Sequence, residues 1–163
     1  MATDLAPIEL ISGSAEETQR IGEALGRWAP DGTVLLLHGD LGAGKTTLTQ
    51  GLARGLGIDE PIQSPTFTLV AEHQGAALRL YHLDLYRLSG PDELESLGFD
   101  QFLEPVNAVA VIEWPERAGN WLPDSFVLVE LTSAGFEQRG IRLRPVGEIG
   151  GWEALSAELG AAV

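Results

Sequence analysis

Residues 39–46 read Gly39-Asp40-Leu41-Gly42-Ala43-Gly44-Lys45-Thr46, a complete G-x-x-x-x-G-K-[ST] phosphate-binding loop (P-loop). The apolar run at residues 33–38 is typical of a buried strand, and residues 46–56 predict a helix that ends at Gly57. A strand, a glycine-rich loop and a helix therefore follow one another in the order that this motif requires. Lys45 is the only lysine in the chain.

The loop predicts a site for a nucleotide and a magnesium ion. Glycines let backbone N–H groups turn toward phosphates, and the N-terminus of the following helix adds the positive end of its dipole. We expect Lys45 to reach the β- and γ-phosphates and the hydroxyl of Thr46 to ligate Mg²⁺. Thr47 is expected to serve the α-phosphate side.

Two carboxylates stand where predicted strands end. Asp84 follows the run at residues 80–83, and Glu113 follows the longer apolar run at residues 109–112. Ligands of open α/β sheets bind at the carboxyl ends of the strands, and a P-loop ATPase needs an acid near the metal and a group that orients water. The longer run favours Glu113 on the metal side and leaves Asp84 to orient water or support the metal, but the residues alone leave these roles open.

Length and composition restrict the class of protein. The 163 residues, 44% of them hydrophobic, predict one buried core and a single domain over residues 1–163.

A net charge of −14 opposes direct binding to nucleic acid, so any RNA connection is expected to run through a partner, although the acidity equally suits simple solubility. Cysteine is absent, which leaves oxygen ligands for a metal. Neither a membrane span nor a signal peptide is evident, so we expect a cytoplasmic protein.

The remaining pattern predicts an α/β, P-loop NTPase-like fold of three layers, with a mainly parallel central sheet and C-terminal antiparallel strands. The other predicted strands lie at residues 7–11, 68–73, 78–83, 108–112, 125–131 and 140–143. The other predicted helices run from the cap at Ser14 to about Trp28, from Pro91 to Gly98, and over 152–159. Residues 61–67 predict an extended loop in the position of a switch loop. Residues 88–102 are interpreted as an amphipathic segment packed on the sheet rather than a surface for a partner.

The residues also favour one nucleotide and one reaction. With Lys45 in the loop, no lysine remains for the N-K-x-D motif of guanine-specific proteins, so adenine is favoured. The arginines are scattered along the chain instead of grouped on a lid, which favours hydrolysis over phosphoryl transfer. Two alternatives remain: a small-molecule kinase, and a binding module in which ATP merely orders the loop at 64–67. His38 and His82 lie within apolar strand patterns and are interpreted as core or strand-end residues without a catalytic role.

Four segments in order closely resemble the TsaE (YjeE) family. They are the P-loop with Thr47, then Ser-Pro-Thr-Phe-Thr-Leu-Val at residues 64–70, Tyr-His-Leu-Asp-Leu-Tyr-Arg-Leu at 81–88, and Glu-Trp-Pro-Glu at 113–116. The resemblance runs over about residues 14–142. Phe67 departs from it, because many relatives carry tyrosine there.

The resemblance implies a bacterial ATPase needed to form threonylcarbamoyladenosine in tRNAs that read codons beginning with A. In that family TsaD with TsaB makes the transfer, and TsaE binds the pair and hydrolyses ATP, so contact with tRNA is indirect. By motif position, residues 39–47 would hold the phosphates, Thr46 and Glu113 would ligate Mg²⁺, and Asp84 would matter for hydrolysis. Thr18 and Arg139 would contact the nucleotide, and Trp114 would be a packing residue.

Overall fold

The computed structural model describes residues 5–40, 42–63, 65, 69–90 and 92–162. Within these ranges, the strands are β1 (Ile8–Ser12), β2 (Val34–His38), β3 (Val70–Gln74), β4 (Arg79–Asp84), β5 (Ala108–Glu113), β6 (Phe126–Ser133) and β7 (Arg139–Val146). The helices are α1 (Ala15–Trp28), α2 (Lys45–Gly55), α3 (Asp92–Ser96), α4 (Asp100–Leu103) and α5 (Trp152–Ala162), with a 3-10 helix at Pro115–Ala118.

The strands form one seven-stranded sheet in the order β1-β7-β6-β2-β5-β4-β3. In its centre, β2 pairs in parallel with both β5 and β6, and β5 pairs in parallel with β4. The pairings of β3 with β4, β6 with β7, and β1 with β7 are antiparallel. The predicted parallel centre and C-terminal antiparallel strands are therefore confirmed.

Helices cover both faces of the sheet, which confirms the predicted three layers. On β2, Leu35 and Leu37 belong to the core under α1, α2 and α5, whereas Val34 and Leu36 belong to the core under α3 and α4. All of β5 is buried, as expected for a parallel strand with helices on both sides.

The segment at residues 88–102 packs on the sheet as predicted. Leu94, Phe99 and Phe102 are buried in the second core, and their neighbours Glu93 and Glu95 are exposed. Short helix α4 was not predicted, because a four-residue helix gives too little periodicity to detect.

Helix α1 begins at its predicted cap, where Ser14 Oγ accepts a hydrogen bond from the Glu17 N–H at 3.2 Å. Glu17 reaches back to the N–H of Gly13, at 2.7 Å, one residue before the position that a capping box predicts. Other predicted ends differ by at most two residues, except that β7 and α5 each continue three residues further than predicted. The 3-10 helix after β5 was not predicted.

Several predictions fall on residues outside the described part of the chain. These residues are Ser64, Thr66 and Phe67 of the proposed switch loop, Leu41 of the P-loop, Thr68 at the predicted start of the strand over 68–73, and Pro91 at the predicted start of a helix. Among the described residues, no helix has both the length and the apolar character needed to cross a membrane.

Candidate active site

The P-loop connects the end of β2 to the start of α2, at the carboxyl edge of the parallel strands. Gly42 and Gly44 have φ values of +81° and +103°. These backbone conformations strain any residue with a Cβ, so the loop requires glycine at both positions. The turn is closed by the N–H of Ala43, which donates to the carbonyl of Asp40 at 3.0 Å.

Lys45 begins α2, and only 6% of its surface is exposed. Its Nζ donates to the carbonyl oxygen of Gly39 at 2.6 Å and lies 3.7 Å from the centre of the Trp114 ring. Burial lowers the pKa of Lys45 below its ordinary value near 10.5, and nearby carboxylates, Glu113 first, partly offset this effect. In the folded protein, the carbonyl oxygen of Gly39 and the face of the Trp114 ring replace water around the ammonium group.

Asp84 and Glu113 are partners in the parallel pairing of β4 with β5. Both side chains are nearly buried, at 5% and 3% exposure. Asp84 Oδ1 accepts a hydrogen bond from the N–H of Tyr86 at 2.9 Å, and Glu113 Oε2 lies 2.5 Å from Nε2 of His82. The two predicted acids are therefore neighbours, each held by a separate polar contact.

A cleft of about 630 Å³ lies beside the loop. Most of the predicted site residues line it: Thr18, Gly42, Gly44, Lys45, Thr46, Thr47, Asp84, Glu113 and Arg139. Gly39, Asp40 and Ala43 lie in the same loop outside the lining, and Leu41 is outside the described residues.

Thr18 and Arg139 reach this cleft from opposite ends of the chain. Thr18, in α1, is buried, and its Oγ1 lies 2.7 Å from Oγ of Ser12. Arg139 begins β7, and its Nη2 donates to the carbonyl of Gly42 at 3.3 Å. The pairing of β7 with β6 therefore places this guanidinium against the P-loop.

Several cleft residues were missed or given another role by sequence reasoning. Tyr86, Arg87 and Phe136 line the cleft, and Phe136 is 98% exposed at the turn between β6 and β7. Trp114 does pack, as the resemblance implies, but against the P-loop lysine and the Tyr86 ring, whose centre is 4.9 Å away. Arg87 and Arg139 are far apart in the sequence but line the same cleft. The aromatic residues Tyr86 and Trp114, which stand close to the strand-end acids in the sequence, were the signal that could have identified these cleft residues.

The oxygen donors in the cleft fit Mg²⁺, which takes only some of its ligands from a protein, better than they fit a metal ion whose ligands are all protein side chains. Thr46 and Glu113 supply a hydroxyl and a carboxylate to the same cleft. Among the residues that the structure describes, no group of three or more His, Asp or Glu could hold a metal ion. Mg²⁺ commonly takes one or two protein oxygens and completes its shell with phosphate and water, so the two protein oxygens of Thr46 and Glu113 fit it.

The chain is similar to known proteins over most of its length. A family model described as "Threonylcarbamoyl adenosine biosynthesis protein TsaE" matches residues 12–141. The chain is 41% identical to the tRNA threonylcarbamoyladenosine biosynthesis protein TsaE of Bacillus subtilis over 144 residues, covering 88% of each chain. It is 45% identical to the protein of the same name from Nostoc sp. over 133 residues, 80% of this chain and 81% of the relative. A crystal structure of Bacillus subtilis YdiB superposes with a TM-score of 0.77 at 34% identity, covering 98% of both chains.

Proposed function

Since the chain belongs to the TsaE family, we propose that it serves tRNA threonylcarbamoyladenosine biosynthesis as a magnesium-dependent ATPase. The observation that carries this proposal is the convergence of a P-loop lysine, the Thr46 hydroxyl and two strand-end carboxylates on one cleft. Because the acids come from β4 and β5 and the lysine from α2, their meeting is a property of the fold and not of one motif.

The chain's own residues would bind and orient the phosphates. Loop N–H groups and the N-terminus of α2 would face the phosphates, and Lys45 would place a positive charge beside the β- and γ-phosphates. Thr47 would serve the α-phosphate side. Thr18 and Arg139 line the same cleft and would contact the nucleotide there.

Thr46 and Glu113 would hold the magnesium ion, with the remaining ligands supplied by phosphate and water. A magnesium ion bound there would offset the negative charge that develops on the phosphates. Asp84 would accept a hydrogen bond from the attacking water and hold it in line with the terminal phosphorus.

We further propose that the protein acts on a complex of TsaB and TsaD in the cytoplasm and is not itself the threonylcarbamoyl transferase. The acidic chain supports this division of labour, because a protein that acts on a protein complex needs no RNA-binding surface of its own. Its contact with tRNA would then be indirect.

The test is magnesium-dependent ATP hydrolysis by the purified protein, alone and with the TsaB–TsaD pair of the same organism. We expect the pair to stimulate hydrolysis and Lys45→Ala to abolish it. Hydrolysis that ignores the pair would leave an ATPase with another client. Phosphoryl transfer to a metabolite would favour a kinase, and background hydrolysis in every mixture would favour a nucleotide-dependent binding module.

A further inference from the structure

His82 lies on β4, two residues before Asp84, and its side chain is completely buried. Its Nε2 is 2.5 Å from Oε2 of Glu113. The other ring nitrogen, Nδ1, is buried and has no hydrogen-bond partner within the described part of the chain. One ring nitrogen of His82 thus contacts a carboxylate of the site, and the other makes no polar contact with the described residues.

This arrangement does not serve packing. A buried polar atom without a partner lowers stability, and replacing a buried polar pair with apolar side chains is often neutral or stabilising. Two other buried positions of β4 already carry leucine, at Leu80 and Leu83. A residue that violates the rules of a core in this way is commonly kept for function.

The geometry shows what the histidine does to the carboxylate. In the sheet, His82 is the partner of Val111, and Glu113 is the partner of Asp84, so the contact runs diagonally between β4 and β5. The metal role proposed for Glu113 requires an ionised carboxylate, which only accepts hydrogen bonds, so in that role Nε2 of His82 would be the donor. With Oε2 engaged in this way, Glu113 can offer Oε1 to a metal without breaking the contact.

We infer that His82 is a positioning residue, which donates its Nε2–H to Glu113 and so fixes the rotamer in which the carboxylate meets the metal. This inference rests on the proposed metal role of Glu113. Hydrogen bonds from outside the direct ligands of a metal commonly strengthen its binding by about 10- to 100-fold.

The test measures Mn²⁺ binding by electron paramagnetic resonance in the presence of a non-hydrolysable ATP analogue. His82→Leu removes the donor, whereas His82→Gln keeps an N–H close to the position of Nε2. Val109→Ala is the matched control, because it opens the buried core of the neighbouring strand without touching the cleft. Binding of the analogue is also measured in excess chelator, without metal.

We expect His82→Leu to weaken Mn²⁺ binding by about 10- to 100-fold while metal-free binding of the analogue stays unchanged. His82→Gln should recover most of the loss, and Val109→Ala should bind Mn²⁺ like the wild type. If the wild type binds Mn²⁺ and a folded His82→Leu variant binds it equally well, the inference is wrong while the proposed metal site stands. A wild type that binds no Mn²⁺ with the analogue would overturn the proposed metal site itself.

A measurement on the intact protein covers the case in which His82→Leu does not fold. Long-range ¹H–¹⁵N spectra report which ring nitrogen carries the proton. We expect the Nε2–H form for His82, with a shifted Nε2 resonance in Glu113→Ala. A ring protonated only at Nδ1, or one that does not respond to Glu113→Ala, would overturn the inference.

Discussion

Lys45 carries its charge in a nearly buried place, where the carbonyl of Gly39 and the ring of Trp114 replace water around Nζ. Since burial lowers the pKa of this lysine, the folded protein binds the proton less tightly than the unfolded chain does. The charge therefore costs stability at neutral pH, and the cost fades as the pH rises toward the ordinary value near 10.5. Because its buried charge lowers the stability of the folded protein, we expect Lys45 to have a functional role.

We expect Lys45→Met to unfold at the same temperature as the wild type or a higher one in the absence of nucleotide. The methionine keeps the apolar contact with Trp114 and removes the buried charge. The same variant should bind ATP about 10- to 100-fold more weakly, because a charged hydrogen-bond donor to phosphate is lost. Thermal unfolding and titration with an ATP analogue measure the two effects. Arg54→Met, an exposed cation on the same helix, is the control, and a melting temperature several degrees below that of the wild type would contradict the argument.

Asp84 and Glu113 should respond differently to the loss of their charge. Asp84→Asn should lower kcat about 100-fold or more with little change in ATP affinity, because oriented water matters in the transition state. Glu113→Gln should instead raise the magnesium concentration needed for half-maximal hydrolysis. Steady-state kinetics over a range of magnesium concentrations separates the two. Equal losses of ATP affinity and turnover in Asp84→Asn would place Asp84 among the ligands of the ground state.

At the scale of elements, α1 and α2 approach each other so closely that their backbones touch. Each helix carries two glycines four residues apart on the contact face: Gly22 and Gly26 in α1, Gly51 and Gly55 in α2. A Cβ added at Gly51 would lie 2.1 Å from the carbonyl oxygen of Gln19, and at the other three it would lie 2.2 Å from a carbonyl oxygen. This approach brings Thr18 of α1 into the same cleft as Lys45 at the start of α2.

Gly51→Ala should therefore destabilise the protein by about 1–3 kcal/mol, because the helices must separate to admit a methyl group. Gly160→Ala is the matched control in α5, where a Cβ meets no atom of the described residues within 4 Å. That change should stabilise by up to about 0.5–1 kcal/mol, since it removes only the entropy cost of a helical glycine. Urea unfolding measures both changes. If Gly51→Ala is as stable as the wild type, the two helices can separate without cost.

At the scale of the whole molecule, the sheet joins the ends of the chain and so completes the cleft. Strand β7 lies between β1 and β6, and the residue that begins it, Arg139, reaches the P-loop from there. On the other side of β2, strands β5 and β4 supply the two acids. The protein carries a net charge of −14, and three of its ten lysine and arginine residues, Lys45, Arg87 and Arg139, line the cleft.

We expect the isolated protein to show no binding to tRNA at about 0.05–0.15 M salt, because it has too few basic groups to displace the counterions of the backbone. Fluorescence anisotropy with labelled tRNA measures this, and the TsaB–TsaD pair added to the same sample is the positive comparison. Binding by the protein alone that weakens steeply with salt would show a basic surface that the proposed indirect role does not need.

Adjacent residues in the chain were enough to predict the P-loop, its strand and its helix, because glycine conformation and periodicity are local properties. The placement of Asp84 and Glu113 at one edge also followed from the sequence, since parallel strands present their carboxyl ends together. The three-layer fold followed from the same alternation of strands and helices. These predictions placed Asp84 and Glu113 at the cleft but did not identify the groups that contact them, which are the N–H of Tyr86 and the ring of His82.

What only the tertiary structure decided is which distant side chains meet. The sequence leaves His82 as an ordinary buried histidine, yet it contacts Glu113 across a separation of 31 residues. Trp114 lies over Lys45, and the glycines of α1 meet carbonyls of α2. Neither contact could be predicted from the sequence. Local conformation depends on neighbours in the chain, whereas these contacts depend on strand register and helix packing, which are set only when the whole core closes.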